Sequence, residues 1–231
     1  MASPQRKLRI LCLHGSRTNS TVMSLQTTGL ARAFGTKAQF EHLEGPFPAF
    51  GPPEDEILDF FGKDESYFQW WNSNDHKDPE LPGWEKALDH LQSHLDFSDY
   101  PYDAIIGFSQ GAMVATLVTA HYMRRSKHVP YKALVLVGGM WPVDGMPHDV
   151  PVDTATSKPI LDFPSIHVLG QEDEMYEVGK SQVDNFSHAS RHVFTHSGGH
   201  RFPALPEYKD MYATIAQTLR DLCTESNNAG Y

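Results

Sequence analysis

Ala104-Ile105-Ile106-Gly107-Phe108-Ser109-Gln110-Gly111-Ala112-Met113 reads as an apolar strand, a G-x-S-x-G turn and the opening of an apolar helix. A glycine on each side lets the chain turn sharply and keeps neighbouring backbone clear, so the Ser109 hydroxyl stands exposed at the end of a sheet. The helix that follows has free N–H groups at its N-terminus, and the Gln110 N–H is placed to stabilise a developing oxyanion. A bare G-x-S-x-G is a weak pattern. Seated between a buried strand and a buried helix, it is read as a nucleophile elbow.

Working outward, comparable apolar runs that stop at glycine recur along the chain. They are Leu8-Arg9-Ile10-Leu11-Cys12-Leu13, Ala133-Leu134-Val135-Leu136-Val137, Ser165-Ile166-His167-Val168-Leu169 and His192-Val193-Phe194, with a weaker candidate at Ala38-Gln39-Phe40-Glu41-His42-Leu43. Short unbroken apolar runs suit strands buried on both faces. Between them lie helical periods: Trp84, Ala87, Leu88, Leu91 and Leu95, then Tyr208, Met211, Tyr212, Ile215, Leu219 and Leu222. Residues 111–122 are apolar on most sides and predict a buried helix. Strands alternating with helices predict an α/β fold, with a mostly parallel central sheet and helices on both faces. Ligands of such sheets bind beyond the carboxyl ends of the strands, where these glycines lie.

Serine is a poor nucleophile at neutral pH and needs a base, which a third group must orient. In this fold type the chain order is nucleophile, acid, histidine. Gly198-Gly199-His200 follows the last strand candidate, and of the 13 histidines His200 is the expected base because its glycine loop can swing over the sheet's rim. Gly170-Gln171-Glu172-Asp173-Glu174 follows the strand before it. Its three acids compete, and their composition does not separate them; Asp144 and Asp153 are less well placed. His14 ends the first strand and is expected to brace the loop whose Ser16 N–H would be a second oxyanion donor.

Residues 44–82 break the rhythm, with Pro46, Pro48, Pro52, Pro53, Pro79 and Pro82 among many aromatics. Such a long irregular segment in a compact domain is functional or disordered, and the aromatic density disfavours disorder. Length supports one domain over residues 1–231 carrying this insertion, since about 150 residues per domain leaves room for it. Phe68, Trp70 and Trp71, with Met140 and Trp141, are expected to wall an apolar acyl pocket, the alternative being core packing.

With 19 basic and 29 acidic side chains the formal charge is −10, and the densest basic run is only Met123-Arg124-Arg125-Ser126-Lys127. Nucleic acid and anionic membrane surfaces are therefore poor partners. Two cysteines, Cys12 and Cys223, build no disulfide framework and suit a reducing compartment. The apolar stretch after Arg6, Lys7 and Arg9 is too short for a signal peptide or a membrane span. A cytoplasmic location is expected, and nothing in the sequence speaks against the nucleus. The oligomeric state is left open.

Taken together, Leu13-His14-Gly15, Trp70-Trp71, Gly107-Phe108-Ser109-Gln110-Gly111, Gly170-Gln171-Glu172-Asp173 and Gly198-Gly199-His200 resemble the FSH family of serine hydrolases, from about Leu8 to Leu222. The resemblance implies an α/β-hydrolase with Ser109 as nucleophile, Asp173 as acid and His200 as base. It implies hydrolysis of a small-molecule acyl ester without a cofactor, and some fungal relatives act on thioesters; no metal is expected, on the motif grounds below. Two other classes compete. A metal hydrolase would use His188, His192, His196 and His200 as a helical ladder, but Val193, Phe194 and Thr195 favour strand and no H-E-x-x-H occurs. A non-catalytic binding protein could retain the same triad. No G-x-x-x-x-G-K-[ST] phosphate loop is present.

Overall fold

A computed structural model describes residues 6–72, 81–125, 128–141 and 161–225. Asp144 and Asp153 lie outside the described residues. Six strands form the main sheet: β1 (Leu8–Leu13), β2 (Ala38–Leu43), β5 (Ala104–Phe108), β6 (Ala133–Val137), β7 (Ser165–Gly170) and β8 (Arg191–His196). Their order is β2-β1-β5-β6-β7-β8 and every pairing is parallel. A parallel sheet must be covered on both faces. Alternate residues along the strands therefore feed two separate cores. Leu11, Leu13, Ile105, Leu134 and Leu136 face one core, and Ile10, Cys12, Ile106, Val135, Val137, Ile166 and Val168 face the other.

The first core is closed by α4 (Trp84–Asp96), through Ala87, Leu88, Leu91 and Leu95, and by α5 (Gln110–Arg125). Every residue of α5 from Gln110 to Ala120 is buried, as a segment apolar on most sides predicts. The second core is closed by α1 (Ser20–Gln26), α2 (Thr28–Phe34) and α7 (Lys209–Glu225), which contribute Met23, Leu30, Phe34, Tyr212, Ile215 and Leu219. A seventeen-residue α7 spans about 25 Å at 1.5 Å per residue, enough to cross the sheet. The short α6 (Tyr176–Asp184) lies between β7 and β8.

The segment expected as an insertion is ordered where it is described. It contains β3 (Phe47–Pro48), α3 (Asp55–Phe61) and β4 (Phe68–Gln69), and β3 pairs antiparallel with β4. It also joins the body of the protein, because the Phe68 N–H donates to the Thr18 carbonyl at 2.7 Å.

The strand order determines where a ligand can sit. From β1 the chain first builds outward to β2, then returns to place β5 on the other side of β1. Strand connections thus run in opposite directions from the carboxyl ends of β1 and β5, which is where open α/β sheets form a crevice. Leu13-His14-Gly15-Ser16 leaves β1 at this point and Phe108-Ser109-Gln110 leaves β5.

Candidate active site

Ser109 sits between the last residue of β5 and the first of α5 with φ of 51°, in the left-handed region that side chains rarely adopt. Its N–H donates to the Val137 carbonyl at 2.9 Å, which fixes the strained turn against β6. The flanking glycines are required by contact rather than by φ. A Cβ on Gly111 would run into the Leu13 and His14 carbonyl oxygens, and one on Gly107 would lie 2.5 Å from the Ala112 Cα. Backbone cannot yield as a flexible side chain can, so only glycine lets β5 turn this tightly into α5. Ser109 itself is partly exposed.

His200 comes from the loop after β8 and Asp173 from the loop after β7. The His200 Nδ1 lies 2.6 Å from the Asp173 Oδ2, a short charge-assisted contact. The other carboxylate oxygen, Oδ1, accepts the Met175 N–H at 2.8 Å, so both oxygens are committed and the carboxylate cannot rotate. Its side chain is only 5% exposed, against 34% for His200. Glu172 and Glu174 are exposed to solvent, and this difference separates the three acids that composition left equivalent. The His200 ring is seated over Gly138, where an added Cβ would approach its Cε1 to 3.0 Å, and against the Phe108 ring at 5.2 Å. Gly138 adjoins Val137, the acceptor of the Ser109 N–H, and Phe108 adjoins Ser109. His200, Asp173 and Ser109 are thereby brought to one end of the sheet.

His14 is completely buried. Its Nδ1 lies 2.7 Å from the Gly15 carbonyl and its Nε2 faces the Gly45 N–H at 2.9 Å and the Glu44 Oε1 at 3.3 Å; the shorter contact, with a donor that cannot act as acceptor, assigns the proton to Nδ1. Gly15 approaches the elbow closely: a Cβ on it would lie 3.4 Å from the Ser109 Cβ. Ser16 and Gln110 flank the same point, and among the described residues neither backbone N–H has a hydrogen-bond acceptor.

The residues expected to wall a pocket separate by burial. Trp70 has no accessible surface; it is a core residue rather than a wall, with its indole N–H donating to the His14 carbonyl at 2.9 Å. Trp71 and Trp141 are 4% and 7% exposed and pack into the same core, while Phe68 and Met140 keep more surface. Trp71 shares its hydrophobic cluster with Leu88, Val114 and Leu117, against which Trp84 is packed.

The histidine series does not form a helical ladder, because Arg191–His196 is strand. Sequence reasoning missed a different role for one member. Buried His196, whose imidazole burial holds below its usual range, accepts the Gly198 N–H at 3.1 Å and so shapes the loop that delivers His200. It also missed the Gln110 side chain, whose Oε1 accepts the Trp70 N–H at 2.8 Å. Neither contact leaves a periodic or spacing signal.

The sequence profile of one family, described as serine hydrolase (FSH1), matches residues 1–212. The chain belongs to the FSH1 family of serine hydrolases. Among curated relatives of this serine hydrolase, human esterase OVCA2 is 30% identical over 221 residues, covering 90% of this chain and 95% of that protein. Esterase FPY3 of Fusarium mangiferae is 28% identical over 206 residues, covering 86% and 90%. Solved structures share the fold. Esterase PE8 superposes with a TM-score of 0.62 at 18% identity, covering 94% of this chain and 93% of that one. Acyl-protein thioesterase 2 of Zea mays superposes with 0.62 at 16% identity, covering 94% and 96%. The sheet is that of an α/β-hydrolase, as the resemblance implies, and its parallel α/β form is the one the strand runs predict. No helix among the described residues of this serine hydrolase is long and apolar enough to cross a membrane.

Proposed function

We propose that the protein is a carboxylesterase that cleaves neutral or apolar acyl esters through Ser109, His200 and Asp173, by way of an acyl-enzyme. The observation that carries this reading is the 2.6 Å contact of His200 with a buried, immobilised Asp173, made where His200 packs over Gly138 beside the Ser109 elbow. His200 Nε2 takes the Ser109 proton as Oγ attacks the ester carbonyl carbon, and the carbonyl π electrons move onto oxygen. The Ser16 and Gln110 N–H groups hold that oxyanion. Collapse expels the alkoxide, which leaves as the alcohol with the proton from His200, and Ser109 retains the acyl group. Water, deprotonated by His200, then attacks the acyl-enzyme and releases the acid. Asp173 holds the His200 proton on Nδ1 and stabilises the imidazolium.

The chain acts as one α/β-hydrolase domain carrying residues 44–82 as an insertion. Phe68 and Met140, the more exposed of the aromatic and thioether candidates, form the surface of the acyl pocket, with Trp71 and Trp141 packed behind them. The formal charge of −10 disfavours anionic substrates. The buried Cys12 and Cys223 thiols suit a reducing cytoplasm.

Thioester hydrolysis on the same triad is the second reading, favoured by the fold shared with a maize acyl-protein thioesterase. A chain-length profile on matched p-nitrophenyl esters and acyl thioesters tests both. Higher kcat/KM on oxygen esters supports the first and higher values on thioesters support the second. Absence of turnover on either series would overturn the proposal.

A further inference from the structure

We infer that Trp70 and Gln110 are positioning residues, through which the aromatic insertion sets the orientation of the two oxyanion donors. The inference rests on the proposed roles of the Ser16 and Gln110 N–H groups and adds what holds those groups in place.

Trp70 grips both sides of the crevice. Its backbone N–H donates to the Gln110 Oε1 at 2.8 Å, on the first residue of α5, and its indole N–H donates to the His14 carbonyl at 2.9 Å, just beyond β1. All three residues are enclosed, with exposures of 0% for Trp70, 6% for Gln110 and 0% for His14. The start of the insertion grips the same residue from another direction, since the Gly45 N–H donates to the His14 Nε2 at 2.9 Å. Gly45 is also pressed against the strand that leads to Trp70, where a Cβ would come within 2.7 Å of the Gln69 carbonyl oxygen. Two separate parts of the insertion, at Gly45 and at Trp70, thus hold His14, one at its imidazole and one at its carbonyl.

The consequence for the oxyanion loop follows from peptide planarity. The Gly15 carbonyl and the Ser16 N–H belong to one trans peptide unit and point in opposite directions. That carbonyl receives the His14 Nδ1–H at 2.7 Å and the Thr18 hydroxyl at 2.8 Å, so the plane is fixed and the Ser16 N–H is aimed away from both. The preceding peptide plane is fixed by the Trp70 indole on the His14 carbonyl. Downstream, the Thr18 carbonyl accepts the Phe68 N–H at 2.7 Å. The His14, Gly15 and Thr18 carbonyls are thus each engaged, by the Trp70 indole, by His14 with Thr18, and by the Phe68 N–H, so contacts from the insertion and from within the loop together set its orientation. Donors that are already oriented need no reorganisation as charge develops on the substrate oxygen, and a small misplacement is costly in the transition state alone.

The test uses Trp70→Phe, which keeps an aromatic ring and removes the indole donor, and Gln110→Met, which keeps the side chain's bulk and removes the acceptor. Rates are expressed per active site titrated with a fluorophosphonate, and the inhibition constant of butylboronic acid, whose serine adduct is tetrahedral, is measured alongside. The expected result is a loss of about ten- to a hundredfold in kcat for either variant, below the about 100- to 1,000-fold that follows complete loss of a donor. KM stays within twofold and boronate binding weakens by the same factor as kcat. A kcat within fivefold of the parent per titrated site, with the effect confined to the melting temperature, assigns the contacts to stability and overturns the inference. If one variant fails to fold, the other carries the test. Ser109→Ala is the control: its retained activity would overturn the catalytic reading itself, whereas an inactive Ser109→Ala beside fully active Trp70→Phe and Gln110→Met overturns only the positioning role.

Discussion

Replacing Asp173 by asparagine tests the acid's role in a way the local contacts make sharp. Asp173 Oδ1 accepts the Met175 N–H at 2.8 Å and Oδ2 faces the His200 Nδ1 at 2.6 Å. In Asp173→Asn the amide oxygen must stay with the Met175 N–H, because an NH2 group there would meet a donor. The amide NH2 is then turned towards His200, whose Nδ1 has to become the acceptor. The imidazole proton moves to Nε2, the nitrogen that should take the Ser109 proton, and the negative charge that stabilises the imidazolium is gone. A tautomer trapped in this way costs about 10,000-fold in kcat in a serine hydrolase triad. At about 1.4 kcal/mol per tenfold, that is roughly 5.5 kcal/mol of transition-state stabilisation. The substitution is isosteric, so far-ultraviolet circular dichroism and the melting curve stay close to those of the parent. Initial rates on a p-nitrophenyl ester, per mole of folded protein, provide the assay. A folded Asp173→Asn variant with kcat within tenfold of the parent would refute the reasoning.

Two further outcomes concern the scaffold. Trp71→Ala should cost about 3–5 kcal/mol in urea unfolding, because the side chain is 4% exposed and belongs to the core cluster that holds Leu88, Val114 and Leu117; a cost below 1 kcal/mol with a changed chain-length preference would move Trp71 from the core to the substrate path. His167 lies wholly inside β7, where burial, with the Arg191 cation adding to it, pushes its imidazole from 6.5 down to about 3. The unfolded chain therefore takes up a proton below about pH 6.5 that the folded chain refuses until about pH 3. Stability from this group is complete above pH 6.5 and falls as pH drops, with a slope approaching about 1.4 kcal/mol per pH unit. Urea unfolding of the parent and of His167→Gln at pH 7, 6 and 5 should diverge accordingly, and parallel pH dependences would contradict the assignment.

The inner strands β1, β5, β6 and β7 were legible because each is a largely apolar run cut off by a loop residue, a pattern that needs no tertiary information. The elbow was legible for the same reason, since strand, G-x-S-x-G and helix are contiguous. The edge strands β2 and β8, by contrast, carry Gln39 and Glu41, and Arg191 and His192, and gave a weaker or shorter signal. The helices α1, α2, α3 and α6 were not read. Seven to nine residues give two turns, too few for a stable period, and α6 carries Gly179 in its interior. A local cue did exist for α1, where the Asn19 side chain caps the Val22 N–H. The choice among Glu172, Asp173 and Glu174 needed burial, which three adjacent acids do not encode.

The aromatic run in the insertion shows most clearly what composition leaves open. Phe68, Trp70 and Trp71 look alike as large apolar side chains, yet Phe68 keeps accessible surface and Trp70 keeps none. What separates them is contact with residues 40 and 56 positions away, the Gln110 side chain and the His14 carbonyl. Such long-range pairs leave no trace in local pattern. The same holds for Gly138, read as the end of a strand and found with φ of 55° beneath the His200 ring.

The central claim is that Ser109 carries the acyl group. Rapid acid quench of the protein during turnover of an ester, followed by intact-mass and tandem mass spectrometry, reads this directly. The expected result is one acyl adduct, located on Ser109, absent in Ser109→Ala together with hydrolysis. An adduct on another residue, or hydrolysis by Ser109→Ala at the parent's rate, would contradict it.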